Sequence, residues 1–370
     1  MGVTADVIVI GAGIIGCSVA HQLALKGARV RLFEARTVGA GATHASAGIL
    51  APYIEAPESG PLLDLAVRSL AAYERFVSDV RQDAGVEIDY RICGTMEVAP
   101  DAAAADSLGR AAARLARTAN VAAEWLDPSA ARAIEPSLPR TLAGALLIRE
   151  HGYVAASQLA EALTWAALRH GAELETGRRI VSVRPSGSGV AVTAEDGAAW
   201  SADRVVIAAG SWAAQIGLAE AAARAVRPVR GQLLRLTWEG PPPVHIIWGP
   251  ACYIVPWTDG SVLVGATVED VGFDERATVA GVRDLLDAAC EILPAAWRST
   301  FHEARVGLRP ATIDGLPIIG PSRQVPGVIY ATGHYRNGIL LAPITAMLVS
   351  DLILEDRRDP LLDFFRPDRF

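Results

Sequence analysis

The alternation of hydrophobic and polar positions predicts a strand–helix–strand unit at the start of the chain. An apolar run at 7–10 leads into a glycine-rich turn, a segment with helical spacing, and a second apolar run that ends in Glu34. Residues 3–35 are therefore predicted to form a buried strand, a turn, a helix and a parallel strand.

Helical and strand periods alternate through the rest of the chain. Helical spacing predicts helices that begin at Pro61 and at a capping Ser157, and others at about 100–119, 127–134 and 278–292. Period-two alternation predicts strands within 86–99 and 226–303, a meander over 178–208 with a turn at Asp196-Gly197, and a strand at 327–332. A last helix is predicted to begin near Gly338.

The order of these segments predicts two domains, each discontinuous in sequence. The apolar run 204–210 is typical of a buried parallel strand that returns to the sheet begun at 7–10. We therefore assign 1–85, 150–225 and 304–370 to a nucleotide-binding domain, and 86–149 and 226–303 to a second, strand-rich domain.

The first turn has the spacing of a dinucleotide-binding motif. Gly11 allows the tight turn, Gly13 lets the backbone approach a pyrophosphate, and Gly16 lets the helix pack close to the strand. Glu34 can accept hydrogen bonds from both ribose hydroxyls, and Ala35, rather than an arginine, follows it. This disfavours the 2′-phosphate of NADP, but the motif alone does not separate FAD from NAD.

Composition excludes several other functions. The formal charge of −7 over 370 residues argues against a nucleic-acid surface. Lys26 is the only lysine, so no phosphate-binding P-loop is possible. Four cysteines without a Cys-x-x-Cys pair indicate reduced thiols, and seven histidines lack metal-site spacing. The stretch 339–354 is interrupted by Pro343 and Asp351 and is too short to span a bilayer.

The opening glycine motif and four further motifs together resemble the FAD-dependent D-amino-acid oxidase family. The four further motifs are Gly41-Ala-Thr-His-Ala-Ser-Ala-Gly, Val306-Gly-Leu-Arg-Pro-Ala-Thr, Asp314-Gly-Leu-Pro-Ile-Ile-Gly and Gly333-His-Tyr-Arg-Asn-Gly-Ile-Leu-Leu-Ala-Pro. The resemblance covers the whole chain and is strongest to the bacterial glycine-oxidase branch of the thiamine pathway. It implies an α/β fold: a doubly wound, Rossmann-like FAD-binding domain beside a mostly antiparallel α+β substrate-binding domain.

The resemblance also implies which residues hold FAD. The adenosine–pyrophosphate part would contact the glycine turn, Glu34 and neighbours, and the flavin would contact the 41–49 loop and the 334–340 segment. The implied set is Gly11, Gly13, Ile14, Ile15, Gly16, Glu34, Ala35, Ala42, Thr43, Ala47, Gly48, Ile49, Ile180, His334, Tyr335, Arg336, Asn337, Gly338, Ile339 and Leu340. A helix beginning near Gly338 would aim its N–H groups at the flavin edge that becomes negative on reduction.

Three residues are implied in substrate binding. Arg309 would grip the substrate carboxylate with both arms of its guanidinium, and the Tyr253 hydroxyl would add a second contact. Arg336 either contacts the ligand or pairs structurally with the FAD-binding domain. His44 lies one position from the loop histidine that links FAD covalently in some relatives, and no cysteine lies near Arg309, so non-covalent FAD is expected and no metal is required.

The implied reaction is oxidative deamination of glycine and other small amines such as sarcosine and small D-amino acids. A hydride would pass from Cα to flavin N5, giving an imine or 2-oxo acid, ammonia and H₂O₂, with a possible role in thiamine thiazole synthesis. The alternative is a D-amino-acid, hydroxyproline or sarcosine dehydrogenase that passes electrons to a quinone or carrier. A tRNA-modifying flavoprotein is disfavoured by the acidic charge.

Two positions change the expected substrate range. Ala251 and Val268 stand where glycine oxidases carry larger side chains, so the pocket is expected to be wider and less strict for glycine. The resemblance further implies a homo-oligomer, a tetramer or dimer, with O₂ as electron acceptor and no nucleic-acid partner. Because the N-terminus lacks a basic segment before the first strand, a cytoplasmic protein is expected.

Overall fold

The computed structural model describes residues 5–56, 59–118, 121–187, 189–218 and 221–370. Its helices are α1 (Ile14–Leu25), α2 (Pro52–Glu55), α3 (Pro61–Ala84), α4 (Ala102–Leu115), α5 (Pro128–Ile134), α6 (Ala156–Arg169), α7 (Ala221–Arg224), α8 (Val279–Ile292), α9 (Ala342–Leu354) and α10 (Leu362–Phe365). Short 3₁₀ helices cover Gly210–Gln215, Pro294–Arg298 and Pro367–Arg369.

The strands fall into three sheets. They are β1 (Ala5–Ile10), β2 (Val30–Phe33), β3 (Ile49–Leu50), β4 (Tyr90–Ile92), β5 (Thr95–Ala99), β6 (Ala123–Leu126), β7 (Gly144–Ile148), β8 (Gly152–Val154), β9 (Glu173–Glu175), β10 (Ile180–Ser186), β11 (Gly189–Ala194), β12 (Ala199–Ile207), β13 (Arg227–Thr237), β14 (Ile246–Trp248), β15 (Tyr253–Pro256), β16 (Ser261–Gly265), β17 (Thr300–Ala311), β18 (Ile318–Pro321) and β19 (Val328–Thr332).

The first sheet has a parallel centre in the order β9-β2-β1-β12-β19. Residues of β1 alternate between its faces: Val7 and Val9 pack with α1, α3, α6 and α9, whereas Ile8 and Ile10 pack with β10, β11 and α7. Both faces are therefore covered, as the continuous apolar run of β1 predicts for a parallel strand. The α/β class is confirmed, and so is the return of the 204–210 run, as β12, to the side of β1.

The second sheet has the order β17-β13-β16-β15-β14-β5-β7-β6. All its pairs are antiparallel except β14 with β5. Leu234, Ile254 and Val264 lie in a core with α8, while Leu233 and Val255 belong to a separate cluster with Tyr253 on the other face. That second face fronts the cavity described below. A small third sheet, β3-β8-β4, is antiparallel throughout.

Several predicted elements differ from the structure in their limits. The strand pattern at 86–99 is two strands, β4 and β5, in different sheets, because Gly94 adopts a φ of 77° between them. The helix predicted at about 100–119 ends at Leu115, and residue 119 lies outside the described residues. Ser157 does not cap α6, since the extended residue at its start is Ala155.

The last large helix begins later than predicted. Residues 338–341 form a turn in which Leu341 N–H donates to the Asn337 carbonyl, and α9 itself starts at Ala342. Pro343, which has no N–H, fits the first turn of a helix, where no intrahelical acceptor is needed. The N-terminus of α9 therefore does not coincide with Gly338 as predicted.

The domain division remains a prediction. β1, β2, β9–β12, β18 and β19 form the first sheet from its nucleotide-binding portions, whereas β17 runs across the predicted boundary at 304 and belongs to the second sheet. Among the described residues, no helix is both long and apolar enough to cross a membrane.

Candidate functional site

A cavity of ≈ 980 Å³ lies between the first and second sheets. It extends from the glycine turn after β1 to Arg309 on β17. Small-molecule sites commonly occupy about 300–1,000 Å³, so this one is large enough for an extended cofactor with a small substrate at its end.

One end of the cavity is built by the turn between β1 and α1. Gly11 has a φ of 104°, and a Cβ there would lie 2.6 Å from the Ala208 carbonyl oxygen, so the turn requires glycine. Gly13 precedes α1 without a side-chain cap, and the first turn of α1 contains no acidic residue. The Thr43 hydroxyl accepts the Ile14 N–H at 3.0 Å. The positive end of the helix thus faces a space that suits a pyrophosphate.

Glu34 stands beside this turn, at the end of β2. One carboxylate oxygen accepts the Ala12 N–H at 2.8 Å and the other accepts the Arg36 N–H at 2.8 Å. Both bonds fix the carboxylate toward the cavity, which it lines. Its role with ribose hydroxyls remains a prediction.

The 41–49 loop forms the wall of the middle of the cavity. Gly48 has a φ of 73°, and a Cβ there would lie 1.7 Å from the Val154 carbonyl oxygen. A Cβ on Gly307 of β17 would lie 2.8 Å from the Ala45 side chain. Glycine at these two positions lets the loop pass closely between β8 and β17.

The segment 333–339 forms the opposite wall. Gly333 has a φ of 74° and Tyr335 a φ of 48°, an uncommon conformation for a tyrosine. The Tyr335 N–H donates to the Pro310 carbonyl at 2.9 Å, which ties the segment to the end of β17. Burial lowers the pKa of His334 to about 3, so the ring is neutral, and its Nε2 lies 3.1 Å from the Thr345 hydroxyl.

Arg309 stands at the far end of the cavity. Its Nη1 donates to the Thr267 carbonyl at 2.9 Å and to the Arg230 carbonyl at 3.4 Å. A Cβ on Gly231 would lie 2.4 Å from the guanidinium, so glycine there leaves the space that Arg309 occupies. Among the described residues no carboxylate forms an ion pair with Arg309. The guanidinium is therefore held in place by carbonyls and keeps its charge available for an anion.

Tyr253 lies in β15 beside this arginine. A Cβ on Gly265 would lie 2.5 Å from its hydroxyl oxygen, so glycine again leaves room. Burial raises the pKa of Tyr253 to about 12, so its hydroxyl keeps its proton and can donate a hydrogen bond. Trp248 packs against it, with ring centroids 5.2 Å apart.

Arg336 lines the same end of the cavity but has a partner. Its Nε lies 2.9 Å from Glu55 at the end of α2, and its Nη2 donates to the same carboxylate at 3.1 Å. Burial raises the pKa of Glu55, against the lowering effect of Arg336 and Arg309. The structure thus contains the pairing that was one of the two alternatives for Arg336.

Most residues implied by the resemblance line the cavity. These are Gly11, Gly13, Ile14, Ile15, Glu34, Ala35, Ala42, Thr43, Ala47, Gly48, Ile49, Ile180, Tyr253, Arg309, His334, Tyr335, Arg336, Gly338 and Ile339. Ala251 and Val268 line it as well.

Three implied residues stand behind the wall instead: Gly16, Asn337 and Leu340. A Cβ on Gly16 would lie 1.8 Å from the Gly11 carbonyl oxygen, which is the close helix packing expected of this glycine. The Leu340 carbonyl accepts the Ser69 hydroxyl at 2.6 Å. His44 is exposed and is not among the residues that line the cavity, although its neighbour Ala45 is.

Sequence reasoning missed Glu55, Gly231 and Thr267. No motif surrounds Glu55, and its only local signal is a lone acid after the apolar run 49–54. Gly231 and the Thr267 carbonyl act on Arg309 from positions far away along the chain, which periodicity does not reveal.

Comparison with known proteins identifies similar sequences along the full length of the chain. The family model described as FAD dependent oxidoreductase matches residues 6–352. The glycine oxidase of Geobacillus kaustophilus is 35% identical over 362 residues, covering 97% of this chain and 94% of the relative. The crystal structure of glycine oxidase from that organism superposes with a TM-score of 0.93 and covers 99% of both chains.

Two further relatives differ in name or in length. The iminodiacetate oxidase structure from Chelativorans sp. BNC1 has a TM-score of 0.89, 28% identity and 98% coverage of both chains. The Bifunctional protein ThiO/ThiG of Synechocystis sp. is 35% identical over 376 residues. That alignment covers 100% of this chain but 55% of the relative, so this chain spans about half the length of the bifunctional protein.

Proposed function

We propose that this chain, which belongs to the FAD-dependent oxidoreductase family, oxidises glycine and other small amines by deamination with O₂ as electron acceptor. The observation that carries the proposal is Arg309, a cation that forms no ion pair with any described carboxylate, at the end of a cavity that begins at a dinucleotide-type turn. The names of the glycine oxidase and iminodiacetate oxidase relatives support an oxidase rather than a dehydrogenase.

The residues of the cavity fit FAD. The glycine turn and the start of α1, whose first turn has no acidic residue, suit the pyrophosphate, and the carboxylate of Glu34 suits a ribose. Thr43, Gly48 and Ile49 on one side, with His334, Gly338 and Ile339 on the other, would then hold the flavin. The chemistry supplied by bound FAD is acceptance of the substrate's Cα hydride, followed by transfer of the electrons to O₂.

The protein's own contribution is to bind and orient the amine. Arg309 binds the substrate carboxylate through the guanidinium N–H groups that do not donate to the Thr267 and Arg230 carbonyls. The Tyr253 hydroxyl, which stays protonated, donates a further hydrogen bond to the same carboxylate. Two contacts on one carboxylate fix the direction of the Cα–H bond, which is the main requirement for hydride transfer.

The charge of Arg336 is less available to an anionic substrate than that of Arg309, because Glu55 forms an ion pair with Arg336. The pair closes the cavity wall between α2 and the 333–339 segment. We assign this pair a positioning role at the end of the cavity that Arg309 occupies.

The pocket is expected to accept more than glycine. Ala251 and Val268 are both exposed, Val268 to 60%, where they line the cavity. Small side chains at an open wall leave room for an N-methyl group or a small α-substituent. Discrimination by one methylene in such a pocket amounts to about 1–3 kcal/mol, so the substrates are expected to overlap.

The proposal is tested by aerobic turnover of the FAD-loaded protein with glycine. Equal amounts of H₂O₂, ammonia and glyoxylate are expected, with O₂ consumed at the same rate. Reduction of an added quinone without O₂ consumption would instead support the dehydrogenase alternative and contradict the oxidase proposal.

Two further proposals concern the setting of the protein. All four cysteines are free thiols in the structure, which supports a reducing, cytoplasmic compartment. A homo-oligomer is proposed from the family resemblance alone. Fractionation of cells and light scattering of the purified protein test these two points, and a membrane-bound fraction or a monomer would contradict them.

A further inference from the structure

The segment 266–278 crosses from the second sheet to the first at the side of the cavity. It connects β16 to α8 and forms no helix or extended strand of its own. Phe273 and Glu275, near its tip, reach residues that follow β2 and β12 of the first sheet. We call 266–278 the strap.

The strap is firmly held on the side of the second sheet. The guanidinium of Arg230, which is 4% exposed, lies 2.5 Å from Glu269 and 3.2 Å from Asp274, and also donates to the Arg276 carbonyl at 3.2 Å. Gln232 receives the Thr278 N–H at 2.8 Å. Removing a partner from a buried guanidinium that makes several bonds is costly, even though the carboxylates of Glu269 and Asp274 are 25% and 27% exposed, so this end of the strap is firmly held.

The contact with the first sheet is of a different kind. Arg36 Nη1 lies 3.0 Å from Glu275, with side chains 37% and 34% exposed. The Arg36 guanidinium stacks over Trp212 at 4.6 Å, and Phe273 packs on the same indole with ring centroids 5.9 Å apart. Exposed ion pairs and aromatic contacts each contribute little free energy, so this end of the strap is held less firmly than the end at Arg230.

This contact between the strap and the first sheet lies beside the cavity. Arg36, Trp212 and Glu275 all line the cavity beside Glu34 and the glycine turn. Closing the contact joins the two sheets across the space in which the adenosine half of FAD is expected. We propose that Arg36, Trp212, Phe273 and Glu275 form a clasp that retains FAD by holding the strap closed over it. The proposal rests on FAD binding and is independent of which amine is oxidised.

Two variants test the clasp, each with a matched control on the strap. Glu275→Gln removes the ion pair, and its control is Asp270→Asn, because Asp270 forms an exposed ion pair with Arg227 at 2.9 Å but does not line the cavity. Phe273→Ala removes the ring that packs on Trp212, and Phe273 itself does not line the cavity. Its control is Val271→Ala, an exposed apolar residue two positions away.

The measurement is the rate at which FAD leaves the holoenzyme after dilution, read as free flavin in an ultrafiltrate without any substrate. We expect Glu275→Gln and Phe273→Ala each to release FAD about 2- to 5-fold faster than the wild type, with both controls unchanged. Raising the salt concentration to about 1 M, where the Debye length is about 3 Å, screens the ion pair in the wild type. The FAD release rates of Glu275→Gln and wild type should therefore differ less at this salt concentration.

The proposal is overturned if either clasp variant releases FAD at the rate of its control. Because the assay contains no amine and needs no turnover, a failure here leaves the proposed oxidase activity standing. Conversely, an absent activity with glycine would leave the FAD-release comparison intact.

Discussion

Replacing Arg309 tests whether this arginine receives the substrate carboxylate. In Arg309→Lys the charge stays but the two-armed guanidinium is lost, and in Arg309→Ala both are lost. The fold has little need of the side chain, since its only hydrogen bonds among the described residues go to the Thr267 and Arg230 carbonyls. Binding should therefore suffer far more than stability.

The magnitude follows from the contacts that the cavity allows. A guanidinium–carboxylate pair with two charge-assisted hydrogen bonds contributes about 1.5–3 kcal/mol for each bond. Loss of both bonds in Arg309→Ala predicts a decrease of about 3–6 kcal/mol in transition-state binding, or about 10²- to 10⁴-fold in kcat/KM. Arg309→Lys, which keeps one charge-assisted bond, should lose about 10- to 100-fold.

The assay is the steady-state kcat/KM for glycine, with flavin content measured in the same samples. Arg305→Lys is the matched control: Arg305 lies four residues earlier on β17, pairs with Glu303 at 2.7 Å and does not line the cavity. It should retain kcat/KM. The reasoning is refuted if the Arg309 variants stay within about threefold of that control while keeping their FAD.

Three other changes have defined outcomes. Gly231→Ala places a methyl group 2.4 Å from the Arg309 guanidinium, so kcat/KM for glycine should fall by about 10- to 100-fold with FAD retained, whereas Gly109→Ala, with open space around it, should leave kinetics unchanged. Val268→Met refills the open wall of the pocket, so the ratio of kcat/KM for glycine over sarcosine should rise about tenfold in parallel assays, and an unchanged ratio would contradict the wider pocket. Burial alone would raise the pKa of Glu269, but hydrogen bonds from Arg230, Thr267 and Gln232 outweigh it and lower the pKa to about 2. The stability that Glu269 contributes is therefore present above its unfolded pKa of about 4.5 and is lost as pH falls toward 2. In urea unfolding, the free energy of unfolding of the wild type should fall by about 1–3 kcal/mol more over this pH range than that of Glu269→Gln, and identical pH profiles would refute the assignment.

The first sheet was predictable because its signals are local. The apolar run of β1, the glycine turn and the acid after β2 lie within one strand–helix–strand unit, and the structure places them together as expected. The third glycine also behaves as predicted, since its missing side chain admits the Gly11 carbonyl.

Boundaries were less predictable where backbone geometry decides them. Alternation continues through 86–99, yet the positive φ of Gly94 divides the segment between two sheets. Near Gly338 the glycine suggested a helix start, but a turn intervenes and α9 begins at Ala342. In both places the hydrophobic period predicted the type of secondary structure but not the residues at which it begins and ends.

The residues around Arg309 were not predictable from local pattern. The Thr267 carbonyl reaches Arg309 across 42 positions, and at the other end of the cavity Arg36 meets Glu275 across 239. Glu55 pairs with Arg336 across 281 positions from a four-residue helix that has no sequence motif. Such pairs depend on how the two sheets face each other, which a single sequence does not specify. The family resemblance supplied Arg309 and Tyr253, and the structure supplied what holds them.

The most direct test of the account is anaerobic reduction of the FAD-loaded protein by a panel of glycine, sarcosine, D-alanine and D-proline, followed by admission of air. We predict that the yellow colour bleaches with glycine and at least one other member, that air restores it with release of H₂O₂, and that Arg309→Ala holds FAD but bleaches at least 100-fold more slowly. A protein that binds FAD yet is bleached by none of the four amines would contradict the central claim.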